Sequence, residues 1–147
     1  MPVSLLDVNV LLALAWPNHI HHVAAHRWFT EKYAAGWATC PLTQLGFGRL
    51  AMQPAVVKIP ILFGDVMEAL ARMTANGAHT FWPVEGGLAD IRDEIRVRVV
   101  GHQQLTDAVL LDLAIRHQGR LATFDKRILA LLPPDTDPPD AVAIIPV

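Results

Sequence analysis

Five short strand-like runs recur along the chain, at residues 3–6, 37–39, 79–82, 120–123 and 142–145, and each but the last precedes a stretch of helical periodicity. That alternation is the strongest constraint on the fold. Parallel strands need a crossover long enough to hold a helix, so strand-then-helix repeats point to an α/β protein. The expected architecture is a three-layer α/β/α sandwich around a mostly parallel five-stranded sheet. The periodic segments cover residues 19–34, 41–52, 60–75, 85–98, 106–118 and 125–132. Pro41 and Pro60 suit first helical turns, while Gly36, Gly77, Gly101 and Gly119 stand at the expected ends. Thr106 is the expected cap of the fifth segment, with Leu105 and Leu110 placed to form a hydrophobic staple. Pro133-Pro134 stops the last segment, and residues 133–139 read as an exposed connector.

The 147 residues suit one domain, 1–147, with a core large enough to fold without disulfides. Hydrophobic residues make up 52%, which excludes disorder and suggests a surface covered by a partner. Net charge is −2, so any grip on nucleic acid must rest on a local patch or a bound cation rather than on bulk charge. Cys40, the one cysteine, fits a reducing compartment and reads as an inert buried thiol. No run is long enough to cross a membrane. Ala13-Leu14-Ala15 mimics a leader cleavage site, but no Lys or Arg precedes the apolar stretch, and Asp7 and Asn9 interrupt it. The start reads as mature cytoplasmic protein.

Three aspartates fall where an α/β sheet places its chemistry. Asp7 follows the first strand and Asp125 the fourth, at the carboxyl ends that border the active crevice of open sheets. Asp107 reaches the same edge by length. A helix from Thr106 runs about 18 Å away at 1.5 Å per residue, and the strand before Asp125 returns about 17–20 Å. Three clustered carboxylates raise one another's pKa unless a cation sits among them. Oxygen ligands without His or Cys suit Mg²⁺ or Mn²⁺, hence metal-assisted phosphoryl chemistry. A plainer reading stays open for each residue. Asn9, Thr106 and Asp125 are good helix caps, and Asp107 complements a helix dipole.

Four ordered motifs then carry a resemblance: Leu5-Leu6-Asp7-Val8-Asn9-Val10, Thr43-Gln44-Leu45-Gly46-Phe47-Gly48-Arg49-Leu50, Leu105-Thr106-Asp107-Ala108 and Thr123-Phe124-Asp125-Lys126. Together they resemble the PIN-domain ribonucleases, most closely the VapC-type toxins of bacterial toxin–antitoxin pairs. The resemblance implies a Mg²⁺- or Mn²⁺-dependent endoribonuclease, a homodimer, and a small VapB-like antitoxin that plugs the site. It carries Asp7, Asp107 and Asp125 over as metal ligands. Asn9 and Thr123 would orient those ligands, and Thr106 would help hold Asp107. Gln44 stands where many members have Glu, so it joins the catalytic set as a neutral oxygen that adds no charge. One ion held by three aspartates, with a weak second position, is the expectation; a catalytically weak or dead binding module is the alternative.

Other residues carry less. His22 and His26 have the i, i+4 spacing of a metal pair but lack companion ligands, so helix packing is the default. His102, Lys126 and Arg127 are candidate RNA contacts beside the acids. Arg92 and Arg96 read as a solvated helical face. Asp112 lies about 140° round the helix from Asp107 and cannot share its face. A haloacid-dehalogenase-type phosphatase also starts with a strand and an aspartate, but it normally needs a second acid two residues on, where this chain has Asn9.

Overall fold

The computed structural model describes residues 2–147. Its strands are β1 (Ser4–Leu6), β2 (Trp37–Thr39), β3 (His79–Phe81), β4 (Arg120–Thr123) and β5 (Val142–Ile144). The helices are α1 (Val8–Ala15), α2 (His22–Lys32), α3 (Pro41–Ala51), α4 (Phe63–Thr74), α5 (Asp93–Arg96) and α6 (Leu105–Arg116). The sheet order is β3-β2-β1-β4-β5, and every pairing is parallel. All five strands therefore lie within a residue of the expected runs, and the sheet is wholly parallel.

Side-chain alternation along the strands feeds two cores, one on each face. Leu5, Ala38 and Leu121 pack with Leu110, Leu111 and Ile115 of α6 and with Ile95 of α5. Leu6, Trp37 and Ala122 pack on the other face with Val10 and Leu11 of α1, Phe47 of α3 and Val66 of α4. Each fully buried Leu or Phe contributes roughly 1.5–3 kcal/mol. Helices on both faces of the sheet make the expected three layers.

Strand order puts the site in its place. From β1 the chain builds outward to β2 and β3, then crosses back to lay β4 on the other side of β1. The reversal opens a crevice beyond the carboxyl ends of β1 and β4. Leu6 is in register with Ala122, so the two strands end level and Asp7 faces the turn that carries Asp125.

Several expected helices change shape. Residues 85–98 give only a 3-10 turn at Leu88–Asp90 and the single turn of α5. Buried Asp112 explains the break. Its carboxylate accepts from the Arg92 backbone N–H at 3.2 Å, from Arg92 Nε at 2.8 Å and from Arg116 Nε at 2.6 Å. Burial pushes the Asp112 carboxyl up, yet the hydrogen bonds from the Arg92 side chain and backbone and from Arg116 outweigh it and hold the group below its ordinary value. Arg92 is therefore tied down and does not form a solvated face with Arg96. Thr106 is not the α6 cap: Gln104 occupies that place, Thr106 lies inside the first turn, and Leu105 is exposed rather than stapled.

At the far end of α6, Gln118 takes the left-handed conformation (φ 53°), and Gly119 N–H bonds back to Ala114 O at 2.8 Å. Gly119 serves close approach instead of the turn. A Cβ there would lie 2.6 Å from Val3 O and 2.7 Å from the Trp82 ring. The His22 and His26 pair also has a structural explanation. His22 Nδ1 bonds Ala13 O at 2.7 Å and His26 Nε2 bonds Leu14 O at 3.1 Å. A carbonyl only accepts, so both rings donate, and they satisfy orphan carbonyls at the end of α1.

Candidate active site

Asp7 caps α1 directly after β1, its Oδ1 accepting from the Val8 N–H at 2.7 Å. Its Oδ2 accepts from the Thr123 hydroxyl at 2.8 Å. Thr123 is fully buried at the end of β4 and joins three groups. Besides donating to Asp7, its Oγ1 accepts from Asn9 Nδ2 at 3.0 Å and from the Asp125 N–H at 3.1 Å. Asn9 Oδ1 in turn accepts from the Phe124 N–H at 3.3 Å. One hydroxyl thus fixes the relative placement of Asp7, Asn9 and the turn bearing Asp125.

Asp107 stands in the first turn of α6, half-buried and facing the same edge. Burial pushes its carboxyl up to about 6, and the negative charges of Asp7 and Asp125 push in the same direction. Asp7 is also raised, first by burial and least by the charge of Asp125, against its hydrogen bonds from Thr123 and Val8. Asp125 goes the other way. The hydrogen bond from Arg127 holds it low. Arg127 reaches Asp125 through Nε at 3.0 Å to both oxygens and through Nη2 at 2.7 Å, while its backbone N–H adds a bond of 2.9 Å.

The three aspartates are therefore close enough to feel one another's charge. Among the described residues, however, no three His, Cys, Asp or Glu side chains are gathered into a ready-made cation shell. The two findings agree physically, because Coulomb coupling extends over many ångströms whereas a Mg²⁺–oxygen bond is about 2.0–2.1 Å. The donor chemistry of the three aspartates and Thr123 fits a hard divalent cation: carboxylate and hydroxyl oxygens, with a negative charge that Arg127 offsets in part.

The remaining expected residues divide. Gln44 is not hydrogen-bonded to the aspartates. Its Nε2 donates to Thr39 Oγ1 at 3.0 Å, and the same oxygen meets His79 Nε2 at 2.8 Å. The Thr106 side chain makes no hydrogen bond to Asp107 among the described residues, so it does not hold that acid as expected. Residues His102–Gln104 form a 3-10 turn beside α6. There His102, Gln103, Asp107, Arg127 and Leu131 line an open polar cavity of about 670 Å³. Lys126 is exposed. Sequence reasoning missed the fork between Arg127 and Asp125. The i, i+2 spacing after a strand was its only signal, and it fits a phosphate contact equally well.

On the other side of Gln44 an apolar groove of about 640 Å³ runs between α3 and α4. Leu45, Phe63, Met67 and Phe81 line it and are all exposed. No helix of the described residues is long and apolar enough to cross a membrane.

A family model described as "PIN domain" matches residues 4–131. Ribonuclease VapC39 of Mycobacterium tuberculosis is 45% identical over 122 residues, covering 83% of this chain and 88% of that protein. Ribonuclease VapC38 of the same organism is 44% identical over 129 residues, covering 88% and 89%. Ribonuclease VapC44 is 42% identical over 125 residues, covering 85% and 87%. Among solved structures, PAE2754 from Pyrobaculum aerophilum matches with a TM-score of 0.58 at 17% identity, covering 88% of this chain and 79% of that one. That last likeness is one of fold alone.

Proposed function

Because the chain belongs to the PIN-domain family, we propose that it is a VapC-type toxin: an endoribonuclease that cuts RNA phosphodiesters at the edge where β1 and β4 end. The observation that carries the reading is the Thr123 hydroxyl, which bonds both Asp7 and the Asp125 N–H at the topological switch point of the sheet, with Asp107 at the start of α6 on the same edge. Asp7, Asp107 and Asp125 would hold the Mg²⁺ or Mn²⁺ ion that such an activity needs. When bound, the ion supplies Lewis acidity toward the phosphodiester and a water activated for in-line attack. The chain does the positioning. Thr123 aims Asp7, Asn9 steadies Thr123 and the Phe124 backbone, and capping of α1 fixes the Asp7 rotamer. The cavity lined by His102 and Gln103 gives RNA an approach to Asp107.

A cytoplasmic homodimer restrained by a VapB-like antitoxin completes the reading. The groove between α3 and α4 supports it, since a partner burying Phe63, Met67 and Phe81 there would also touch Gln44. The phosphatase alternative has no support in the family match, and the residue where its second acid would stand, Asn9, spends its amide on Thr123.

Incubation of the full chain with structured RNA and Mg²⁺, with and without EDTA, tests the proposal. Cleavage that EDTA stops and that Asp7→Asn or Asp107→Asn abolishes is the expected result. No cleavage, or cleavage untouched by both substitutions, overturns it.

A further inference from the structure

Arg127 has a large exposed side chain and open solvent around it, yet its guanidinium is spread over both oxygens of Asp125, at 3.0, 3.0 and 2.7 Å. A bidentate fork of this kind uses the carboxylate geometry fully and leaves neither oxygen free of a cationic donor. The same Arg127 opposes the rise of Asp107. It therefore offsets negative charge at Asp125 directly and, to a lesser degree, at Asp107. Both Asp125 oxygens are engaged in this way, and among the described residues the acids form no shared shell.

We propose that Arg127 is a stand-in cation: it occupies Asp125 when no metal is bound, and divalent ions enter the site by exchange against it. The proposal rests on the metal-dependent reading above and goes beyond it, because it assigns Arg127 a role in loading the site rather than in holding RNA. The lattice of bonds at Thr123 makes the exchange local. The Asp125 backbone is pinned by Thr123, so only the carboxylate has to change partner. The released guanidinium already borders the polar cavity beside Asp107 and has room there.

Mn²⁺ binding to the full chain without RNA, followed by the electron-spin-resonance signal of the free ion, provides the test. Relative to wild type, Arg127→Ala is expected to bind Mn²⁺ about two- to ten-fold tighter, and Arg127→Lys, which keeps the charge but loses the fork, to fall between. Asp125→Asn should bind more weakly, and the gain from Arg127→Ala should vanish in the Asp125→Asn background. Arg127→Gln serves as a second neutral variant, and circular dichroism checks that each variant is folded. Unchanged or weaker binding by both neutral variants, with Asp125→Asn still impaired, overturns the stand-in role while leaving the metal site intact. Absence of Mn²⁺ uptake by every variant overturns both.

Discussion

Replacing Asp107 by Asn should make the protein more stable while abolishing its activity. In the folded chain Asp107 is raised from its ordinary value of 3.8 to about 6 by burial and by Asp7 and Asp125. Both folded and unfolded chains are ionised there at about pH 7.5, and the folded one bears the cost. At about 1.36 kcal/mol for each pH unit between the two values, a fully shielded group would cost about 3 kcal/mol. Asp107 is only half-buried, so solvent screening reduces this to roughly 1–1.5 kcal/mol. The direction follows from proton uptake. As pH falls through 6 the folded state takes a proton that the unfolded state does not, so wild type gains stability, and the gain is complete once pH drops below 3.8. Asp107→Asn has no such proton to bind. Urea unfolding in metal-free buffer should therefore show the variant ahead by roughly 1–1.5 kcal/mol at about pH 7.5, or about 3–6 °C in Tm, with the lead vanishing near pH 4. Saturating Mn²⁺ should close the gap by stabilising wild type alone. A variant that is less stable than wild type at neutral pH, or whose difference does not change with pH, refutes the idea of uncompensated charge at this edge.

Thr123→Val keeps the shape but leaves Asp7, Asn9 and the Asp125 N–H without their shared partner. A loss of roughly 1–3 kcal/mol in urea unfolding is expected, with RNA cleavage at saturating substrate falling as well. Gly119→Ala forces a methyl against Val3 O and Trp82; thermal unfolding should show about 1–3 kcal/mol of destabilisation, with cleavage intact in the protein that remains folded. Asp112→Ala strands Arg92 and Arg116. Because both arginines are about a third exposed and can rehydrate, roughly 2–3 kcal/mol is expected by chemical denaturation rather than the 3–5 of a fully buried pair.

The parts of this fold that were legible in the sequence are those set by local pattern. Residues 120–123 form a short strand-like run after Gly119, centred on Leu121 and Ala122, and they form β4 where the alternation puts it. The relation among Asp7, Asp107 and Asp125 was approachable because a helix and a strand of matched length must return to the same edge. What could not be read depends on which partner each polar group takes once the chain is packed. Residues 85–98 have a helical pattern, but buried Asp112 takes the backbone N–H of Arg92, 20 residues away, and splits the run into the 3-10 turn at Leu88–Asp90 and the single turn of α5. Thr106 has the chemistry of a cap and loses the place to Gln104, whose Oε1 bonds the N–H groups of Val100 and Gly101. Gln44 enters the catalytic set by motif; its amide meets Thr39 five residues back, whose hydroxyl also meets His79 on β3, a contact that only the pairing of β2 with β3 brings near. Gly119 reads as a helix stop, while the left-handed residue is Gln118 and Gly119 is there for want of space.

The pairing of β1 with β4 also sets a clock during synthesis. The hydrogen bond from Thr123 to Asp7 joins residues 116 apart. At roughly 5–20 residues per second, the first aspartate leaves the ribosome's catalytic centre about 6–23 s before its partner hydroxyl has been added. A nascent chain lacking β4 keeps the bond from Val8 to Asp7 Oδ1 but lacks the Thr123 hydroxyl that sets Oδ2 against Asp125. For the ribonuclease proposed here, the topology withholds the blade until the strand that completes its mounting has been made.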